Sequence, residues 1–282
     1  MMASQKEFGS DKSTGRFFDF FMSQLALLEQ LYQHQFTNLK HLEDARVGKL
    51  YPLLFSIHHT GISISVLSRH LHINECYILA RSFLERLIIY IYLFSCDESE
   101  YSRYISYTKQ KGYRVLNRSF VAGDSEVRLK WSGIIDLEKE PDLKEAVNTF
   151  TSEKGKPKTR WTSQSLSKMI QSIASRGKLE IGYMMLAILW IYEDASEALH
   201  GTLYGSTFHI GTFIGKIPSS KEELKKNWNE QFSALFLALG TCMHTLIQSF
   251  HKVANVDDIL SNSKDNLRTI SIAMKEMRGN QA

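Results

Sequence analysis

Apolar side chains recur along most of the chain at spacings of three and four residues, which is the period of an amphipathic α-helix. Only four prolines and 16 glycines interrupt 282 residues, and so few helix breakers favour long helices over many short strands. The sequence therefore predicts an all-α fold, a multi-helix bundle of about 8 to 10 helices. The main helices predicted by this pattern cover approximately residues 17–42, 52–70, 74–94, 97–120, 161–175, 179–200 and 218–253, with a last polar helix after Asp257.

The helical period weakens between residues 121 and 160, where prolines, a glycine and mixed charges accumulate. We expect an irregular insertion there, with one short helix around Leu143 to Phe150. A basic linker closes this stretch, and it is either a solvated loop, which charge patterning favours, or a phosphate contact. Its basic side chains are Lys154, Lys156, Lys158 and Arg160.

Domain organisation follows from the same pattern. We expect one helical domain over residues 1–282, with a polar N-terminal segment at 1–15 and a polar C-terminal helix or tail at 255–282. Glycines recur among aromatic and apolar residues between 201 and 217. That segment is predicted to be a helix end, a packed loop or one short hairpin, and the sequence leaves the choice open.

Composition narrows the class of protein. Hydrophobic residues make up 43% and charged residues 23%, an ordinary globular balance, and the formal charge of +4 permits nucleic acid as a partner without indicating it. The three cysteines are far apart, so the sequence predicts a reducing compartment without a disulfide framework. The polar N-terminus and the short apolar runs predict a cytoplasmic protein with no membrane partner.

Common catalytic motifs are missing from the sequence. It contains no phosphate-binding loop, no dinucleotide-binding glycine fingerprint, no zinc-protease His-Glu-x-x-His and no Gly-x-Ser-x-Gly elbow. The neighbouring histidines His58 and His59 point to different sides of a helix, as do His70 and His72, which disfavours metal binding. We therefore expect neither a cofactor nor a metal ion.

One charged pair stands inside an otherwise apolar predicted helix. Arg81 and Glu85 are four residues apart in Ala-Arg-Ser-Phe-Leu-Glu-Arg, so they share a helix face about one turn from each other. Burying a charged pair is costly unless each member is matched. The pair is either a structural ion pair or part of a functional site.

A second polar stripe lies at the end of the most apolar predicted helix. Tyr192, Ser196 and His200 follow each other at intervals of four residues, which places two hydroxyls and an imidazole along one face. Gly201 directly follows His200, so we expect the imidazole at a helix C-terminus. A lone histidine there is usually a structural hydrogen-bonder. The stripe of three strengthens the functional interpretation, and both interpretations stay open.

These two segments resemble a family of uncharacterised bacterial all-α proteins with Arg-x3-Glu on an early helix and Tyr-x3-Ser-x3-His-Gly on a later one. The resemblance covers roughly residues 45 to 215. The proteins of that family in turn distantly resemble the HEPN superfamily of helical bundles. The resemblance implies a HEPN-like core and a defence or toxin-type effector. It further implies RNA as the substrate, a protein partner in a defence complex, and a homodimer.

For catalysis the resemblance implies metal-independent RNA cleavage, with His200 as general acid and base and Arg81 stabilising charge on the phosphate. Glu85 would then orient one of them, and Tyr192 and Ser196 would position the substrate. HEPN nucleases use an Arg-x(4–6)-His motif. In this chain the positions four to six before His200 are Ser196, Ala195 and Asp194, and none of them is arginine.

Two other functions remain open from the sequence. The bundle could be a non-catalytic scaffold or partner-binding subunit, in which the polar stripe is a structural network. It could instead hold a small ligand between helices. The aromatic residues considered for that pocket are Tyr90, Tyr92, Tyr183 and Trp190.

Overall fold

The computed structural model describes residues 12–37, 46–130, 136–177, 179, 181–208, 210 and 217–279. Helices dominate these residues, and the sheet found among them has two strands, which confirms the all-α prediction. The described part forms two compact units. The first comprises the residues up to Ser95 and those from Leu166 onward, and the second is Cys96–Ser165. The sequence prediction of one domain over 1–282 stays a prediction.

The first unit is a helical bundle. It contains most of the helices predicted from the apolar period, with one of them interrupted. Its helices are α1 (Lys12–Thr37), α2 (Arg46–Lys49), α3 (Tyr51–Arg69), α4 (Ile73–Ser95), α7 (Leu166–Gly177), α8 (Gly182–Ala187), α9 (Glu193–His200), α10 (Leu203–Phe208), α11 (Lys221–His251) and α12 (Asp257–Gly279).

Helices α4 and α11 form the centre of this bundle because they are apolar on most sides. Helix α4 packs against α3, α7, α9 and α11, while α11 also packs against α1, α8 and α12. Three tyrosines of α4, Tyr77, Tyr90 and Tyr92, are almost completely buried. The aromatic and aliphatic contacts of α4 therefore fix the helix that also carries Arg81 and Glu85.

A buried polar network joins three helices of the bundle. The hydroxyl of Ser263 on α12 donates to Oε1 of Gln24 on α1 at 2.8 Å, and Nδ1 of His244 on α11 lies 2.8 Å from the same hydroxyl. The Gln24 amide in turn donates to the Ser263 carbonyl at 3.2 Å. Since all three side chains are buried, these bonds fix the register of α1, α11 and α12.

Helix α11 is long and apolar enough to span a bilayer by length and composition alone. Within the bundle, 78% of its most apolar window is buried. A central core helix has the same properties, so this feature does not by itself indicate a membrane. Its N-terminus carries a capping box, in which the Ser220 hydroxyl accepts from the amide of Glu223 while the Glu223 carboxylate accepts from Ser219.

The second unit contains α5 (Glu98–Val115), β1 (Asn117–Ala122), β2 (Ser125–Lys130), a 3₁₀ turn (Leu137–Lys139) and α6 (Pro141–Thr149). Helix α6 agrees with the predicted short helix. The helix predicted to reach Phe120 ends at Val115, and an antiparallel hairpin follows it. Strand-favouring residues such as Phe120 and Val127, which pair directly, and Gly123 at a φ of 57° in the turn explain the hairpin.

Two further predictions differ from the structure. Helix α7 begins at Leu166, five residues later than expected from Trp161. The helix predicted over 179–200 starts at Gly182 and contains a π-helical turn, Ile188–Tyr192, between α8 and α9. In the glycine-rich segment 201–217, residues 203–208 form the short helix α10, and residues 211–216 lie outside the described part.

Candidate functional site

The site is built where α4 meets the π turn and α9. A π turn accommodates one extra residue in a helix, and such turns occur frequently at functional positions. Tyr192 is the last residue of this π turn, and α4 contacts both the turn and α9. The local distortion and the packing together direct the Tyr192 side chain toward α4.

Arg81, Glu85 and Tyr192 form one hydrogen-bonded cluster. Nε of Arg81 lies 3.3 Å from Oε1 of Glu85, and the Tyr192 hydroxyl donates to the same oxygen at 2.6 Å. The guanidinium carbon of Arg81 lies 5.0 Å from the centre of the Tyr192 ring, within range of a cation–π contact. Glu85 therefore bridges the two helices through one carboxylate oxygen.

Burial and charge set the protonation of this cluster. The Arg81 side chain is 21% exposed and that of Glu85 is 38% exposed, so the ion pair is partly screened by water. Burial raises the pKa of the Tyr192 hydroxyl, and the hydrogen bond to Glu85 raises it further, while Arg81 acts in the opposite direction. Tyr192 is therefore a neutral hydrogen-bond donor near neutral pH.

Arg81 retains hydrogen-bonding capacity. Its Nη1 is buried and has no hydrogen-bond partner in the described part of the chain. A buried donor that makes no bond costs free energy, and such atoms often mark a place that a ligand or water fills. The guanidinium is held through Nε, and because Nη1 is buried, an acceptor such as a phosphate oxygen reaches it only after neighbouring side chains move.

Ser196 and His200, the other predicted members of the stripe, have different surroundings. The Ser196 hydroxyl donates to the carbonyl of Tyr192 at 2.8 Å and so bonds within its own helix. His200 is exposed at the last position of α9, where Gly201 caps the helix at a φ of 63°. Among the described residues, no hydrogen bond or ion pair joins His200 to Arg81 or Glu85.

The distance along the helix explains why His200 lies apart from the cluster. Tyr192 and His200 are eight residues apart, which corresponds to about 12 Å along a helix axis. The structure thus brings together Arg81, Glu85 and Tyr192 from the predicted site. Ser196 lies one turn from that cluster, and His200 lies two turns from it.

The structure also shows polar residues near the site that were not predicted from the sequence to belong to it. Asp194 is half-buried and accepts a hydrogen bond from the Tyr204 hydroxyl at 3.2 Å. Burial raises the pKa of the Asp194 carboxyl, and the negative charges of Glu193 and Glu197 add to this effect. Asp194 therefore connects α9 to α10.

A glycine permits the close approach of α10 to α9. A Cβ at Gly205 would lie 2.4 Å from the carbonyl oxygen of Glu197, so no larger residue fits without moving the backbone. Thr202 fixes the same junction, since its hydroxyl donates to the Glu197 carboxylate at 2.7 Å and accepts from the Gly205 amide. The available sequence signal was the recurrence of glycines after residue 200, among which Gly205 makes this contact.

The remaining sequence predictions concern the aromatic pocket, metal binding and the basic linker. Tyr90 and Tyr92 are buried core residues, whereas Trp190 is 45% exposed on the outer face of its helix, so these rings do not share one environment. No group of three metal-binding side chains occurs within the described ranges. The basic linker is exposed, and Nζ of Lys158 donates to the Thr149 carbonyl at 2.9 Å.

A family model described as "Family of unknown function (DUF5677)" matches residues 50–217 of the chain. This range includes Arg81 and Glu85 on α4, the whole π turn, and the segment from Tyr192 to Gly201. No curated protein and no solved structure matches the chain.

Proposed function

Because the chain belongs to the DUF5677 family, whose function is unknown, we propose its function from the candidate site: a HEPN-like defence or toxin-type effector that cleaves RNA in the cytoplasm without a metal ion. The observation that carries the proposal is the half-buried cluster of Arg81, Glu85 and Tyr192. It holds a guanidinium in a fixed position and leaves one of its donors without a partner among the described residues.

In this proposal Arg81 binds a phosphate of the RNA. Glu85 holds Nε, and the Tyr192 ring contacts the guanidinium, so the side chain is oriented before the ligand arrives. Orientation of this kind lowers the entropy lost on binding. Glu85 and Tyr192 are positioning residues here, because they act on the phosphate through Arg81.

His200 supplies the acid–base chemistry in the same proposal. Its exposed ring takes the proton from a ribose 2′-hydroxyl, whose oxygen attacks the adjacent phosphorus. The bond from phosphorus to the 5′-oxygen of the next nucleotide breaks, and the protonated His200 returns the proton to that 5′-oxygen. Since His200 lies about 12 Å along α9 from Tyr192, the RNA strand runs along α9, and Arg81 holds a phosphate that is not adjacent to the one that reacts at His200. The product carries a 2′,3′-cyclic phosphate.

The test is cleavage of a labelled single-stranded RNA by the purified full chain in the presence of EDTA. We expect products with 2′,3′-cyclic phosphate ends and no cleavage where the reacting nucleotide lacks the 2′-hydroxyl. His200→Ala and Arg81→Ala are each expected to reduce the rate by roughly 100-fold or more.

His70→Ala is the matched control, because His70 is also an exposed histidine at the C-terminal end of a helix, α3. This variant should cleave like the unmodified chain. Full cleavage by a folded His200→Ala variant, or no cleavage of any RNA by the unmodified chain, would contradict the proposed ribonuclease.

A non-catalytic scaffold is the second candidate, and one observation favours it. Oε1 of Glu85 is already bonded by both Arg81 and Tyr192, as in a structural network that fixes how two helices pack. In that case Glu85→Ala would lower the free energy of unfolding, while RNA cleavage would be absent from every variant. Equilibrium unfolding together with the cleavage assay separates the two functions.

A further inference from the structure

The helical segment formed by α8, the π turn and α9 is apolar on its outer face as well as on its inner face. Met184, Ala187 and Ile191 point into the bundle and are buried. On the opposite side, four large apolar side chains are 41% to 63% exposed. A helix that is apolar all round is normally buried all round. We call these four residues the apolar stripe, and they are Met185, Leu186, Leu189 and Trp190.

Two more exposed apolar side chains follow farther along. Leu199 is 50% exposed at the end of α9, and Leu203 is 82% exposed at the start of α10. Side chains of this size that are about half exposed leave roughly 100 Å² each in contact with water, so the six offer about 600 Å² together. The largest apolar patch on a typical monomer covers about 300 to 600 Å² and is often functional, so these six side chains, which lie in two groups, are a candidate binding surface.

Three carboxylates separate the apolar stripe from Leu199 and Leu203. Glu193 is exposed, and Asp194 and Glu197 are half-buried. Within the described part of the chain, no lysine or arginine forms an ion pair with any of them. The raised pKa of Asp194 reflects, after burial, the mutual repulsion of these charges. A cation placed over this turn would relieve that repulsion.

The position of the carboxylates in the middle of this surface bears on whether a second copy of the chain or a different protein binds there. In a twofold contact the same patch meets itself, so the carboxylates in its middle would face each other. Like charges facing each other across an interface cost free energy. This repulsion disfavours self-association through this face.

We propose that this face binds an amphipathic helix of another protein, with apolar residues in its end turns and lysine or arginine in its middle turns. Met185 and Leu199 are fourteen residues apart, about 21 Å along a helix, so a partner helix of about four turns covers the surface. The apolar ends pack on the apolar stripe and on Leu199 and Leu203. The basic middle lies over Glu193, Asp194 and Glu197.

The docked helix lies next to the cluster of Arg81, Glu85 and Tyr192. Tyr192 lies two positions after Trp190 of the apolar stripe and directly precedes Glu193, so the partner helix passes over the same turn. The surface itself does not depend on RNA cleavage. It is expected to bind the partner helix whether or not the chain is an enzyme.

The experiment uses a stapled synthetic helix of about four turns with leucines in its end turns and lysines in its middle turns. Binding to the full chain is measured by fluorescence anisotropy of the labelled peptide, and by the blue shift of Trp190 emission when its exposed ring is covered. We expect at least tenfold weaker binding for the Leu186→Ser/Leu189→Ser variant and for Glu193→Lys. Rising salt should weaken binding as well.

Two controls match these changes. Ile272→Ser removes an apolar side chain that is 51% exposed on α12 and should leave peptide binding unchanged. A peptide with glutamate in place of lysine should bind at least tenfold more weakly. The inference is overturned if the lysine peptide does not bind, or if both peptides bind equally. It is also overturned if sedimentation shows a dimer of the chain that Leu189→Ser dissociates.

Discussion

The hydroxyl of Tyr192 donates a 2.6 Å hydrogen bond to Oε1 of Glu85, although the two residues are 107 positions apart in the chain. This bond joins the last residue of the π turn to the central helix of the bundle. The same oxygen also accepts from Arg81, so one carboxylate fixes both the phenol and the guanidinium. The site is therefore defined by a contact between helices.

Removal of the Glu85 charge tests this relationship. In Glu85→Gln we expect the pKa of Tyr192 to fall, because the negative charge that raises it is lost while Arg81, which lowers it, remains. The free energy of unfolding should fall by about 1 kcal/mol, since the pair is partly exposed. NMR of ¹³Cζ-labelled tyrosine and equilibrium unfolding measure the two effects. Glu75→Gln, an exposed position on the same helix, should change neither.

Gly205→Ala tests the close approach of α10 to α9. The new methyl group would lie 2.4 Å from the backbone oxygen of Glu197, and a backbone atom cannot rotate away as a side chain can. We expect a loss of about 1 to 3 kcal/mol in the free energy of unfolding. Gly182→Ala is the matched control, because a Cβ there meets no atom within 4 Å. It should be neutral or slightly stabilising, and equal effects of the two substitutions would contradict the contact.

The buried network of His244 predicts a loss of stability in acid. Burial, and to a smaller extent the positive charge of the neighbouring Lys264, lower the pKa of His244 to about 4. The unfolded chain therefore binds a proton below about pH 6.5 that the folded chain binds only near pH 4. The free energy of unfolding should fall by about 2 to 3 kcal/mol as the pH decreases through this window.

Unfolding of His244→Gln over the same pH range isolates this effect. The variant removes the titrating ring and keeps a hydrogen-bonding side chain, so its stability should vary less with pH between 6.5 and 4 than that of the unmodified chain. His70→Gln, at an exposed position, should follow the unmodified chain. Parallel pH profiles for all three proteins would show that His244 does not contribute.

The three cysteines should be unreactive in the folded protein. Cys76, Cys96 and Cys242 are all buried, and burial raises the pKa of the Cys76 and Cys242 thiols to about 12. Since the thiolate is the reactive form, a soluble thiol reagent should label none of the three under native conditions and all three in denaturant. Rapid labelling of one cysteine in the native state would show that its helix opens locally.

The helical architecture could be predicted from the sequence because the apolar period of a long amphipathic segment indicates a helix by itself. It missed the hairpin at Phe120 and Val127, where the weak pattern was read as a helix end and a loop. It also missed the π turn, because one extra residue in a helix leaves the apolar period almost unchanged. Both misses fall where local geometry depends on how neighbouring residues pack.

For the site, the sequence by itself determined that Arg81 and Glu85 share one helix face, and that Tyr192, Ser196 and His200 share another. Spacing within a helix fixes such relationships. Only the tertiary structure decided that Tyr192, and neither Ser196 nor His200, meets Glu85. That outcome depends on how α9 crosses α4 and where the π turn shifts the register, and both are set by packing between residues distant in the chain.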